Sequence, residues 1–405
     1  MPGLHSRRAL AALALSGALL AAGCGKDSAG GASSGAPAAS PLGPSKNGDD
    51  KAAVELGFPT FATKNTTRVA NSNPVAVAAG VARSVFPGQS LESRPNAVAV
   101  VDKRDWRTAL AAAALMGNPV RAPLLLSDEG QELPEASQVA LDALDPKGSK
   151  AAGGAEVIRI GSVPRPDGRK TTDVAGRDPF ALAQALDAFG AAARGKTSDQ
   201  VIIVSADDPA FAAPAAAYAA KTGDPILFAR KNTLPAATRA ALKTHQQPKI
   251  YVLGPTAVIG TKVTRELRKL GSVKRIGGPD PVRNAIAFAM FSETDFGWGV
   301  VDPGHGVVFA RTGADPVTAA AAAPLSASGS YGPLVLLSDD ETIDAPLTTF
   351  LRAIQPGYRT DPVRGVYNHG WLIGDTRAIT PALQARLDTL LEIMPESTSS
   401  PKKAT

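Results

Sequence analysis

Short continuous apolar runs alternate with stretches of helical spacing along most of the chain, and the alternation is clearest between residues 171 and 271. Gln200-Val201-Ile202-Ile203-Val204 is a nearly uninterrupted apolar run of strand length, the pattern of a strand buried on both faces. Ahead of it, Leu182, Leu186 and Phe189 recur at helical spacing behind Pro179, which suits a first helical turn. Asp207-Asp208-Pro209 reads as the capped start of a helix over 210–221. Residues 225–229 predict a second strand, and Leu234-Pro235 opens a helix to 243. A third strand over 249–254 and a helix over 261–270 follow. Strands alternating with helices in this way build a parallel sheet covered on both faces, joined by right-handed crossovers.

The same order of segments occurs three times, and a repeat on that scale decides the architecture. Each copy opens with a short run ending in Pro: Thr66-Thr67-Arg68-Val69-Ala70 to Pro74, Thr171-Thr172-Asp173-Val174 to Pro179, and Val273-Lys274-Arg275-Ile276 to Pro281. A β-rich run then feeds an alanine-rich stretch over 96–115, 199–218 and 305–324. Pro and an aliphatic strand come next, at 123–126, 225–228 and 333–337, and a last strand runs into Gly161, Gly254 and Gly374. The expected units are 66–170, 171–271 and 272–395, three tandem α/β modules of Rossmann-like layering with parallel sheets. The first lacks a closing helix, passing from Gly161 through 163–168 into the second. The third carries a longer excursion over 356–368, and insertions of this kind map to surface loops.

The ends read differently. Arg7 and Arg8 precede an apolar stretch over 9–22, the order of an export signal over 1–23. That stretch falls short of the roughly 20 apolar residues of a membrane span. Ala21-Ala22-Gly23-Cys24, with Leu20 upstream, resembles a bacterial lipobox, although a larger aliphatic residue is usual where Ala21 stands. Cys24 is the sole cysteine and has no internal disulfide partner, so lipidation is expected; the plainer alternative is a cleaved signal with a chance cysteine. Lipidation implies an extracytoplasmic protein held to the outer face of the cytoplasmic membrane. Residues 24–65 are Gly, Ala, Ser, Pro and Lys in large part, and read as a flexible tether reaching on the order of 35 Å. The tail, 396–405, reads as disordered.

Composition narrows the partners. The whole chain has a net charge of +6, and loss of Arg7 and Arg8 with the signal leaves +4. That mild excess permits contact with anionic polymers without demanding it. Few aromatics and no clustered Lys/Arg stripe argue against nucleic acid.

No catalytic set emerges. His245, His305 and His369 lie far apart without metal-ligand spacing, no Gly-x-Ser-x-Gly appears, and Gly277-Gly278-Pro279 is not a dinucleotide fingerprint. The chain reads as a non-enzyme without cofactor or metal. Asp105, Asp208 and Asp315 recur after a strand and before a helix. They are either ligand contacts at the carboxyl ends of strands or helix N-caps, and capping explains their recurrence without a ligand. Arg230-Lys231 stands where the other copies have Ser127-Asp128 and Ser338-Asp339, as an anion contact or a solvated loop. Arg68 and Arg275 are candidate ligand contacts that equally suit salt bridges bracing a neighbouring copy.

The opening Arg275-Ile276-Gly277-Gly278, the segment 122–128, Leu234-Pro235-Ala236-Ala237 and Tyr251-Val252-Leu253-Gly254, in this order and repeated three times, resemble the type 2 cell-wall-binding repeats of Gram-positive surface proteins. The resemblance covers 66 to about 392. It implies a pseudo-threefold arrangement of the modules, acting as an intramolecular trimer, and non-covalent binding of anionic cell-wall polymer. The chain departs from the family at Asn73-Pro74, Asp178-Pro179 and Asp280-Pro281, where Asp-Arg-Tyr is usual. It departs again at Thr108, Phe211 and Thr318, which replace a second acid. The expectation is a lipid-anchored, wall-associated envelope protein; the alternative is a lipoprotein that captures a small solute for uptake.

Overall fold

The computed structural model describes residues 61–128, 130–329 and 331–396. The export signal, Cys24 and most of the expected tether and tail lie outside the described residues. The first copy of the pattern runs β1 (Phe61–Ala62), β2 (Thr66–Val69), α1 (Pro74–Val85), β3 (Val98–Asp102), α2 (Trp106–Ala112), β4 (Leu124–Ser127), α3 (Glu135–Leu144) and β5 (Val157–Ile160). The second holds β6 (Thr171–Val174), α4 (Pro179–Arg194), β7 (Gln200–Ser205), α5 (Pro209–Ala212), α6 (Pro214–Thr222), β8 (Ile226–Ala229), α7 (Ala236–Thr244), β9 (Lys249–Leu253) and α8 (Thr261–Leu267). The third begins with β10 (Ser272–Ile276), α9 (Pro281–Met290), a hairpin of β11 (Ser292–Glu293) and β12 (Phe296–Gly297), β13 (Gly306–Arg311) and α10 (Val317–Ser326). It continues through β14 (Leu334–Leu337), α11 (Ala345–Ala353), β15 (Gly357–Tyr358), β16 (His369–Ile373), α12 (Pro381–Leu391) and β17 (Met394–Pro395).

Three parallel sheets share one strand order, and each crosses from one copy into another. The orders are β4-β3-β5-β6, β8-β7-β9-β10 and β14-β13-β16-β2, with β1 added antiparallel outside β2. The opening strand of the second copy therefore completes the sheet of the first, and that of the third completes the sheet of the second. β2, from the first copy, completes the sheet of the third, with Val69 opposite Ile373. After each opening strand the chain leaves that sheet: α1 packs on β4, α4 on β8 and α9 on β14. An otherwise bare edge of backbone donors and acceptors is thus covered in every sheet. Residues 63–65, at the end of the stretch that reads as tether, belong to this closure. The Asn65 backbone N–H donates to Asp388 Oδ1 at 2.7 Å and its side-chain amide to the Asp388 carbonyl at 3.1 Å.

Local chemistry accounts for the helix starts. Asn73, Asp178 and Asp280 are N-caps whose side chains accept from the N–H groups of Val75, Ala181 and Arg283, and each precedes a proline in the first turn. The helix expected over 210–221 is two segments, α5 and α6, because Pro214 offers no N–H to the preceding turn. The helix expected over 261–270 ends at Leu267 and continues only as a turn.

The alanine-rich stretches form α2, α6 and α10, which contact one another pairwise. Every residue of α10 is buried. Methyl side chains let backbones approach closely, which is why alanine, with its small buried area, suffices here. At the seam between the second and third copies lies an aromatic cluster. Phe296 stacks on Tyr251 at 3.5 Å between centroids, and Tyr218 lies 4.7 Å from Phe296 and 5.5 Å from Trp298. The Tyr218 hydroxyl accepts from the Gly297 N–H at 2.8 Å. Beside it the Lys221 ammonium sits over Trp298 and Tyr331, 5.0 and 4.0 Å from the ring centroids.

Candidate functional site

The opening strands carry two of the sequence-singled arginines to the same structural position. On β2, Arg68 is fully buried, and burial pulls its pKa down to about 10. Its Nε and Nη2 donate to Gln384 Oε1, and Nη1 donates to the carbonyls of Gly374 and Asp375 at 3.1 and 2.8 Å. On β10, Arg275 Nη1 donates to the Gly254 carbonyl at 2.5 Å, and Nη2 reaches the Ile259 carbonyl and Thr264 Oγ1 at 2.8 and 2.7 Å. Gly254 and Gly374 have φ of 120° and 128°, a left-handed turn that presents their carbonyls to the guanidinium.

The remaining junction inverts the device. β6 has Asp173 at the corresponding place, and the arginine comes from the opposite residue on β5, Arg159. Arg159 Nη1 holds Asp173 at 2.9 Å, while Nε and Nη2 donate to the carbonyl of Val163 at 3.1 and 2.5 Å. At all three junctions an arginine ties the loop after one copy's last strand to the next opening strand. Arg68 and Arg275 accordingly face carbonyls and amide groups of the fold.

The three aspartates sit at helix starts. Asp105 caps α2, accepting from the Thr108 N–H at 3.1 Å and from its hydroxyl at 2.5 Å. Asp315 accepts from the Val317 N–H at 3.1 Å. Asp208 stands at the N-cap of α5 without a side-chain capping bond; its own N–H donates to Ser205 Oγ at 3.0 Å. Among the described residues no group of three His, Cys, Asp or Glu is placed to hold a metal ion. Arg230 Nη1 pairs with Asp207 at 2.7 Å and its guanidinium lies over Phe180, whereas Lys231 is exposed.

The histidines part company. His305 lies in the loop just before β13, 3.4 Å from both Asp302 and the Tyr331 carbonyl, and burial lowers the pKa of His369. His245 is buried, with Nδ1 2.7 Å from the Ser198 carbonyl and Nε2 2.7 Å from Asp187 Oδ2. Burial favours its neutral form, but the Asp187 hydrogen bond and charge, with the Ser198 carbonyl, outweigh that and raise its pKa. Acceptors at both nitrogens favour the imidazolium form of the ring. Nothing in local spacing signals this pair, since Asp187 lies 58 residues before His245. It ties α4 to the end of α7 inside the second copy.

Residues 174–264, within the second copy, match the family described as Cell wall binding domain 2 (CWB2). No curated protein matches the chain. Among solved structures the fold is similar to Cwp6 from Clostridium difficile, with a TM-score of 0.62 and 16% identity over 81% of this chain and 48% of that one. It is also similar to Cwp8 from Clostridium difficile, with a TM-score of 0.60 and 18% identity over 82% of this chain and 53% of that one. The chain thus spans about half the length of those structures. No described helix is long and apolar enough to cross a membrane.

Proposed function

We propose that this chain is a non-enzymatic envelope protein whose three repeats, 66–170, 171–271 and 272–395, bind anionic cell-wall polymer non-covalently in a pseudo-threefold arrangement. The observation that carries the reading is the match of residues 174–264 to Cell wall binding domain 2. The shared strand order of the three sheets extends that reading to the other two copies. Lipidation at Cys24, after removal of 1–23, holds the protein to the outer face of the cytoplasmic membrane, so that the repeats bridge membrane and wall.

Sedimentation with purified cell walls tests it. The chain is expected in the pellet at low ionic strength and increasingly in the supernatant as salt screens the contacts. Protein left wholly in the supernatant at low salt refutes wall binding. Radiolabelled fatty acid incorporated by the parent and not by Cys24→Ser tests the anchor separately.

A further inference from the structure

Repeats two and three differ on the outer face of their last two helices. In repeat two, Arg239 on α7 and Glu266 on α8 form an ion pair at 2.7 Å that links the helices. Counted from the helix starts, the corresponding residues of repeat three are Thr348 on α11 and Arg386 on α12. The acid has become a base, and its partner a hydroxyl.

Between α11 and α12 lies an open groove of about 400 Å³. Arg352 and Arg386 line it with the hydroxyl-bearing Thr342, Thr348 and Thr389, over an apolar floor of Ile343 and Leu390. Arg386 Nη1 is steadied by the Glu341 carbonyl at 3.1 Å. Two neighbouring acids are engaged elsewhere: Asp340 pairs with Arg311 at 3.3 Å, and Asp339 accepts from the N–H groups of Glu341 and Thr342. Two guanidinium groups lining one groove suit the oxygens of a phosphoryl or carboxylate group, which arginine binds through paired hydrogen bonds. An open groove also accepts a chain that continues past the bound group.

We propose that this groove is an anion-binding site of repeat three, taking up a phosphoryl or carboxylate group of the polymer, an inference that rests on the wall-binding reading above. Calorimetric titration of the full chain in nonionic detergent tests it, with tripolyphosphate, trigalacturonate and neutral maltotriose as probes and wall sedimentation alongside. The expected result is saturable binding of an anionic probe, with maltotriose inert, weakened about tenfold by Arg352→Gln or Arg386→Gln. The tighter of the two anionic probes identifies the charged group. The double variant Thr348→Arg/Arg386→Glu rebuilds the ion pair of repeat two, so it keeps the fold while removing the site. Absence of probe binding by the parent overturns the groove, as does unchanged affinity in that folded double variant, whether or not walls sediment the protein. Arginine-dependent probe binding by a chain that no wall sediments upholds the groove and sinks the wall-binding reading instead.

Discussion

Arg68 and Gln384 stand 316 positions apart and meet in the interior, where Nε and Nη2 of the guanidinium donate to one amide oxygen at 3.1 and 2.8 Å. The Gln384 amide nitrogen donates in turn to Thr66 Oγ1 at 3.0 Å, so α12 grips β2 at two points. Arg68→Met removes the donors and leaves buried acceptors unpaired, and is expected to cost about 2–4 kcal/mol of unfolding free energy. Urea denaturation measures it. A loss under about 0.5 kcal/mol would show that the strand closure holds without this tie.

The buried His245–Asp187 pair makes stability depend on pH in a defined direction. The folded pKa of His245 lies above its ordinary value of 6.5. Its contribution is therefore fully present below the unfolded pKa and lost as pH rises through the folded one. The difference in Tm between the parent and His245→Gln should shrink from pH 6 upward. Taking that difference separates the effect from His369, whose lowered pKa acts in the opposite sense. A difference that is constant from pH 6 to 9 contradicts the imidazolium assignment.

Contact among α2, α6 and α10 depends on methyl side chains. Ala320, fully buried on α10, has no room for a larger group without shifting a neighbouring helix. Ala320→Leu is expected to destabilise by about 1–3 kcal/mol, whereas Ala236→Leu, exposed at the start of α7, should stay within about 0.5 kcal/mol. Thermal melts of the two variants side by side make the comparison.

Phe296 carries much of the seam between the second and third copies, stacked on Tyr251 and beside Tyr218. Phe296→Ala should cost about 3–5 kcal/mol. Proteolysis should then open the chain first near 292–300. Cleavage that begins elsewhere would place the weakest contact outside this cluster.

Capping and ligand binding separate at the aspartates. Asp105→Ala should cost about 1 kcal/mol and leave wall sedimentation unchanged. Asp208→Ala, which removes no side-chain cap bond, should cost less. Wall binding lost with stability intact in either variant would make that aspartate a ligand contact.

Much of the architecture is legible along the chain because its signals are local. The apolar run 200–204 is a strand, Asn73-Pro74, Asp178-Pro179 and Asp280-Pro281 are helix starts, and the alanine-rich stretches are helices. Each depends on residues within a turn or a strand of one another, so spacing reveals it. The missing closing helix of the first copy is equally local. Pro214 shows a limit even there: the alanine pattern runs through it, but the backbone breaks.

The cyclic exchange of opening strands belongs to the tertiary structure alone. β2, β6 and β10 read as the beginnings of their own repeats, yet each pairs with the last strand of another. A strand edge accepts any backbone of suitable register, so partner choice leaves no periodic mark in the sequence. For the same reason the partners of Arg68 and Arg275, singled out as ligand contacts or braces, and the part played by Arg159 emerge only when the fold sets each against the carbonyls after a last strand. The sequence determined what the pieces are. Which pieces meet was decided by packing between residues that lie tens to hundreds of positions apart.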